Sequence, residues 1–132
     1  MNDELAGVDL ERHDRTAVAI LSGEIDMSNA TAVRQRIAGF VTGDDDAVVI
    51  DLSGLGFIDS AGLHALVELG AVLAERRQRL LLCAVPGSHV ERALEIVGMR
   101  HTVPVLPGRA AAIEEARASA AEVRPAPPPT TV

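Results

Sequence analysis

A chain of 132 residues is long enough for one domain with its own core. Hydrophobic residues make up 48% of it, but Trp and Tyr are absent and there are only two Phe, so the core must be aliphatic. The formal net charge of −7 argues against nucleic-acid binding and against docking on an anionic membrane, because both need a basic face. A protein partner with a basic patch suits this charge better.

The chain shows no targeting or redox signal. Its N-terminus is acidic, unlike that of a signal peptide, and no stretch approaches the ~20 apolar residues of a membrane-spanning helix. We therefore expect a soluble protein located in the cytoplasm. The single cysteine, Cys83, lies in an apolar run, which favours a buried, inert thiol.

The first third of the chain predicts a hairpin followed by a helix. Residues 5–12 and 15–22 are typical of strands, with a turn at His13 and Asp14, and residues 23–26 are expected to leave the sheet. Ser28 is placed to cap a helix over residues 29–41. The apolar stripe of that helix consists of Ala30, Val33, Ile37 and Val41. The acidic residues 44–46 lack the alternating spacing of a calcium loop, which favours a solvated turn over a metal site.

The central stretch combines a strand, a loop and a helix. Residues 48–50 predict a buried strand that Asp51 closes, and residues 53–58 predict a glycine-containing loop. Asp59 is a candidate N-cap, which places Ser60 in the first turn of a helix. One face of this helix carries Leu63, Leu66, Val67, Gly70 and Leu73, and another carries Ser60, His64 and Glu68.

The remaining chain continues the alternation of strands and helices. Residues 80–85 predict a buried strand, and Ser88 with Glu91 predicts a capping box for a helix that ends at Gly98. The apolar face of that helix is expected to contain Val90, Leu94 and Val97. Residues 101–106 predict an edge strand because of Pro104, residues 109–121 an Ala-rich helix, and residues 124–132 a disordered or polyproline-like tail.

This order of elements predicts an α/β fold. The sheet should be mainly parallel, with four or five strands, one antiparallel first strand and about four helices. In such sheets, ligands and partners dock at the carboxyl ends of the strands.

Enzymatic functions are not favoured. Ser60 and His64 share a helix face but lack the G-x-S-x-G elbow and an enclosed oxyanion site. The histidines lack zinc-ligand spacing, and Gly54-Leu55-Gly56 lacks the third glycine of a dinucleotide fingerprint. We expect no catalytic residue, no metal and no cofactor.

Several of these segments together resemble the STAS-domain proteins, in particular the bacterial anti-sigma factor antagonists. The resemblance covers about residues 5–118. We take residues 1–118 as the STAS domain and residues 119–132 as the helix end and a disordered Pro-rich tail. It is carried by four segments in the right order: Leu21-Ser22-Gly23-Glu24-Ile25-Asp26; Val49-Ile50-Asp51-Leu52-Ser53 leading to Phe57-Ile58-Asp59-Ser60-Ala61-Gly62-Leu63; Leu81-Leu82-Cys83-Ala84-Val85; and Val97-Gly98-Met99.

The resemblance implies a partner switch. An anti-sigma factor with serine kinase activity would phosphorylate the residue after the motif aspartate, which is Ser60, and a Ser/Thr phosphatase would restore it. The unmodified form would bind the anti-sigma factor and release a sigma factor. By the same mapping, Asp26 lies in the loop that approaches Ser60, and Asp59 precedes the acceptor. Ala61 stands where relatives often carry a second hydroxyl.

We expect the partner-binding face to combine Asp26, Asp59, Ser60, Ala61 and Gly62 with the outward residues His64 and Glu68. Three alternatives stay open for the same domain: a STAS subunit of a lipid-transport complex that binds an ATPase, a regulatory piece of an anion transporter, and a sensor of a small molecule or nucleotide. The short chain argues against the transporter.

Overall fold

The computed structural model describes residues 6–123, without the side chains of residues 100 and 119–123. Its strands and helices alternate as predicted after the first hairpin. In chain order they are β1 (Ala6–His13), β2 (Thr16–Ile25), α1 (Ala30–Phe40), β3 (Ala47–Ile58), α2 (Ser60–Glu75), β4 (Arg79–Cys83), α3 (His89–Ile96), a 3₁₀ turn (Met99–His101), β5 (Val105–Leu106) and α4 (Arg109–Val123).

The five strands form one mixed sheet in the order β1-β2-β3-β4-β5. β1 pairs with β2 antiparallel through a tight turn in which Asp14 adopts a φ of 56°, and all later pairs are parallel. This arrangement confirms the predicted fold class. β5 lies at the edge of the sheet, as Pro104 suggested.

Both faces of the sheet are covered. The helices α1, α2 and α3 share the main core with the side chains of Val48, Ile50 and Leu52. The alternate residues point the other way and pack with Ala112 and Ala116 of α4. The central strands are therefore buried on both sides, which explains why they appear as continuous apolar runs. Cys83 lies in the second layer, where burial raises its pKa to about 12, as expected for an inert thiol.

Three predicted strand ends were wrong: β2 and β3 continue further, and β4 ends at Cys83, two residues before its predicted end. β3 reaches Ile58 and β2 reaches Ile25, with two register shifts between them. Gly54 makes this pairing possible, since a Cβ at that position would lie 2.7 Å from the carbonyl oxygen of Leu21. Gly54 therefore serves close strand pairing, and both Gly54 and Gly56 lie in β3 and not in a loop.

The start of α1 also differs from the prediction. Asn29 occupies the N-cap position, and Ser28 does not cap the helix. The hydroxyl of Ser28 donates to Asp26 Oδ1, and Asn29 Oδ1 accepts from the backbone N–H of Asp26. The predicted apolar stripe of α1 is confirmed, since all four of its residues are buried.

The apolar face of α2 is rotated relative to the prediction. Leu69 is fully buried, whereas the side chain of Val67 is 47% exposed. The cause is that α2 packs against α1 as well as the sheet, which shifts the buried sector toward α1.

The acidic turn is not simply solvated. Asp45 is buried because Arg12 donates to both of its carboxylate oxygens, at 2.8 Å each, and the N–H of Thr42 donates to Oδ2. These hydrogen bonds, first of all those from Arg12, lower the pKa of Asp45. The turn is therefore an anchor between β1 and β3.

In the last third of the chain, α3 and the edge strand are shorter than predicted. Ser88 caps α3 as expected, but Glu91 accepts from the N–H of Gly87 instead of Ser88. Val97 lies beyond the helix end and is exposed, and Gly98 ends the helix with a φ of 72°. The 3₁₀ turn takes up residues 99–101, so only Val105–Leu106 pair as a strand.

The final helix runs two residues past its predicted end, to Val123, and the predicted tail at 124–132 lies outside the described residues. Between residues 6 and 123, no helix has the length and apolar character needed to cross a bilayer.

Candidate functional site

The candidate site lies at the carboxyl ends of β2 and β3. Ile25 and Ile58 are paired in register, and the N–H of Asp59 donates to the carbonyl oxygen of Ile25 at 3.1 Å. Asp26 and Asp59 therefore leave two adjacent parallel strands at the same level. The structure brings the Asp26 loop next to the start of α2, as expected from the sequence.

Ser60 is the first residue of α2 and is exposed. Asp59 caps the helix, because its Oδ1 accepts from the N–H of Gly62 at 3.0 Å. A carboxylate in this position satisfies one of the free backbone donors and suits the positive end of the helix dipole. The predicted cap is confirmed, and a second molecule has access to the hydroxyl of Ser60.

Gly62 holds the start of α2 close to the sheet. A Cβ on Gly62 would lie 2.6 Å from Cγ1 of Ile58 and 2.9 Å from Cγ2 of Ile25. Gly62 is buried, and its place in the binding face stays a prediction. Ala61, beside it, is partly exposed.

Asp26 is held in place by its own loop. Its Oδ1 accepts from the hydroxyl and from the backbone N–H of Ser28, the latter at 2.8 Å. These two hydrogen bonds, the one from the hydroxyl first, lower the pKa of Asp26. The carboxylate therefore stays ionised at neutral pH and presents a fixed negative charge beside the start of α2.

The outward stripe of α2 continues the site along the helix. His64 Nε2 lies 3.6 Å from one carboxylate oxygen of Glu68, and Arg34 Nε of α1 lies 3.6 Å from the other. His64 and Glu68 are both exposed, as predicted. Their contact with α1 through Arg34 was missed, because sequence spacing does not show which helices are neighbours.

Exposed apolar side chains also lie at or after the carboxyl ends of three strands. Met27 follows β2 and is 80% exposed, Phe57 lies near the end of β3, and Val85 follows β4. The ring of Phe57 stacks on that of His89 with 5.6 Å between centroids. The sequence signal for Met27 is an apolar residue within a polar turn.

The residues described here offer little for catalysis or metal binding. No group of three His, Cys, Asp or Glu side chains is placed to hold a metal ion within that part of the chain. Ser60 and His64 stand one helical turn apart on an exposed surface. Such an arrangement is suited to recognition by a partner.

Comparison with known proteins assigns the family. The profile of the family described as "Mlab, STAS domain" matches residues 8–107. BtrV of Bordetella bronchiseptica, provisionally named an anti-sigma factor antagonist, is 31% identical over 103 residues, covering 78% of this chain and 88% of BtrV. The anti-sigma-F factor antagonist RsfB of Mycobacterium tuberculosis is 30% identical over 90 residues, covering 68% of this chain and 72% of RsfB.

Solved structures agree with these relatives. An anti-sigma factor antagonist from Mycobacterium paratuberculosis superimposes with a TM-score of 0.76 at 31% identity, covering 85% of this chain and 94% of that one. The phosphorylated form of SpoIIAA from Bacillus shares the fold, with a TM-score of 0.64 at 21% identity and coverage of 83% and 98%. The chain therefore belongs to the STAS-domain family. Within that family it is similar to anti-sigma factor antagonists, which are regulators and not enzymes.

Proposed function

We propose that this protein is an anti-sigma factor antagonist of the cytoplasm. In its unmodified state it binds an anti-sigma factor with serine kinase activity and thereby releases a sigma factor. Phosphorylation of Ser60 ends this binding, and a Ser/Thr phosphatase restores it. The similarity to BtrV and RsfB supports the class of function.

The observation that carries the switch is the position of Ser60. Its hydroxyl is exposed on the first turn of α2, next to the capping carboxylate of Asp59 and close to the loop that fixes Asp26. A kinase can reach this hydroxyl, and a bound partner would cover it. A charge added there would enter a site that already contains two carboxylates.

The electrostatic energies favour loss of partner binding, and not unfolding, as the effect of phosphorylation. A phosphate adds about −1.5 to −2 charges. At about 4 Å, repulsion from one carboxylate costs roughly 1 kcal/mol in water and roughly 4 kcal/mol at an effective dielectric constant near 20. The helix N-terminus offsets about 0.3–1 kcal/mol of this. A fold with about 5–15 kcal/mol of stability tolerates the remainder, but an interface loses tenfold in affinity for every ~1.4 kcal/mol.

The direct test is titration of Ser60 variants against the cognate anti-sigma factor, captured from the native cell and then purified. Ser60→Glu is expected to weaken binding at least tenfold, whereas Ser60→Ala should bind like the unmodified protein. Incubation with the kinase and ATP should add phosphate to the unmodified protein and not to Ser60→Ala, as measured by mass spectrometry.

A matched control tests whether the effect on affinity depends on where the negative charge is added. Ser53 is also exposed but lies within β3, before the site. Ser53→Glu adds the same charge and should leave the affinity unchanged. Equal affinities for Ser60→Glu and Ser60→Ala, or phosphate on another residue, would contradict the switch.

A second function is favoured by the description of the matching family, which names Mlab. The protein could be the STAS subunit of a lipid-transport complex that binds the ATPase of that complex, in which case Ser60 need not be modified. Copurification with an ABC-type ATPase in place of a sigma-factor regulator would support this function and contradict the first.

A further inference from the structure

A groove of about 340 Å³ lies beside the later turns of α2, from Val67 to Ala74, whereas Ser60 begins the helix. One wall is α2, the opposite wall is the segment 99–104, and the start of β4 lies between them. The lining is mainly apolar, with contributions from Val67, Ala71, Ala74, Leu80, Met99 and Val103. This volume falls in the range of small-molecule sites, roughly 300–1,000 Å³.

The walls of the groove are fixed by packing and hydrogen bonds. Gln78 lines the groove, and its Nε2 donates to the carbonyl oxygens of Thr42 and Asp45, at 2.8 Å each. Gly70 lies so near the sheet that a Cβ would be 3.3 Å from Cδ2 of Leu80. These contacts hold α2 and the turn at Gln78 against the start of β4, so this side of the groove is fixed without a ligand.

The charge at this end of the molecule is opposite to that of the whole chain. The turn from Glu75 to Arg79 contains Arg76, Arg77, Arg79 and one acid, which gives +2 where the whole chain carries −7. The dipole of α2 contributes about half a negative charge at its C-terminus, so the turn remains positive. Arg79 itself lines the groove.

We propose that this groove binds a small amphipathic anion, with an acyl chain along the apolar lining and a carboxylate at Arg79. The apolar walls fit the chain, and the positive turn complements the head group. The ligand site is separate from the Ser60 surface, so its occupation does not depend on the proposed partner switch.

The test is titration of the whole protein with decanoate below its micelle-forming concentration, followed by calorimetry and by NMR amide shifts. We expect saturable binding, with shifts at residues that line the groove. Ala71 is exposed on α2, so Ala71→Leu fills the groove without disturbing the core and should abolish binding. Ala74→Leu provides the same test at a second position.

Head-group recognition is tested by a pair of matched variants. Arg79→Gln should weaken decanoate binding about fivefold, the effect of losing an ion pair at a partly exposed site. Arg92→Gln removes the same charge from α3, outside the groove, and should have no effect. Decanol, which has the same chain without the charge, should bind the unmodified protein and Arg79→Gln equally.

Three results would overturn the proposal. One is the absence of saturation by decanoate, and another is unchanged binding to folded Ala71→Leu and Ala74→Leu, with folding checked by the melting temperature. The third is that decanoate does not bind, whereas Ala71→Leu loses a protein partner that the unmodified protein binds. The groove would then be a protein interface.

Discussion

The close packing of Gly62 determines how near the start of α2, and with it Ser60, lies to the sheet. It lies two residues after Ser60, against Ile25 and Ile58, which end the two strands beneath the site. Its lack of a side chain is a packing requirement, since nothing in its backbone conformation demands glycine. The geometry of the candidate site therefore depends on a buried glycine.

Gly62→Ala is expected to lower the free energy of unfolding by about 1–3 kcal/mol, because the new Cβ must displace Ile58 or the start of α2. Urea titration measures this. Gly39 in α1 is the matched control, since a Cβ there meets no atom within 4 Å and Gly39→Ala should be neutral or stabilising. Equal effects of the two substitutions would show that Gly62 is not a close-packing site.

Asp45 is the second residue on which the fold depends, and Asp45→Asn should cost about 2 kcal/mol at pH 7. Its pKa is lowered from the ordinary value of 3.8, so its contribution is complete above that value and is lost as the pH falls through the lower, folded-state value. The stability difference between the unmodified protein and Asp45→Asn should therefore shrink below about pH 4. Urea titrations at pH 7 and pH 3 check this, with the exposed Asp44→Asn as control; a constant difference would contradict it.

At the scale of elements, α2 is the helix that joins the two proposed sites. Ser60 stands at its first residue, and the groove lies along its second half. Asp59 acts at its start in two ways: it caps the helix and adds a negative charge beside Ser60.

These two roles can be separated by substitution. Asp59→Ala should lower the free energy of unfolding by about 1 kcal/mol, whereas Asp59→Asn keeps the cap and should cost little. Because Asp59→Asn removes one charge, the loss of affinity caused by Ser60→Glu should be smaller in that background. Denaturation and calorimetric titration of the single and double variants provide the measurement. An unchanged loss would mean that Asp59 plays no part in the electrostatic switch.

The order and type of the elements could be predicted from the sequence, but several of their ends could not. Apolar periodicity located α1, and caps together with periodicity located α2 and α3, because those signals are local. The extension of β3 through its glycines depends on pairing with β2, and the rotation of α2 depends on contact with α1. These are tertiary effects, which local patterns do not contain.

At the scale of the whole molecule, the charged and apolar features are divided between two ends. The carboxyl ends of the strands carry Asp26, Asp59 and the exposed Met27 and Phe57, and the opposite end carries the arginine turn. The candidate residues around Ser60 could be predicted from a motif. The exposed apolar Met27, Phe57 and Val85 could not, because they come from three separate parts of the chain.

Met27 is expected to be an anchor of the partner interface, since it is 80% exposed beside the acidic residues. Met27→Ala should weaken binding of the anti-sigma factor by about tenfold, the effect of losing a well-buried contact. Ile96 is similarly exposed at the far end of α3, and Ile96→Ala should leave the affinity unchanged in the same calorimetric titration. If both variants bind as the unmodified protein does, the apolar rim does not belong to the interface.

The strands are in the same order in the sheet as in the sequence. Each strand can therefore pair with the strand synthesised just before it while translation continues. The helix α4 is synthesised after all five strands, and it covers the part of one face where Val49 and Leu81 are fully buried. Before α4 has emerged from the ribosome, the nascent chain exposes this apolar surface. Chaperones can bind the surface during that interval.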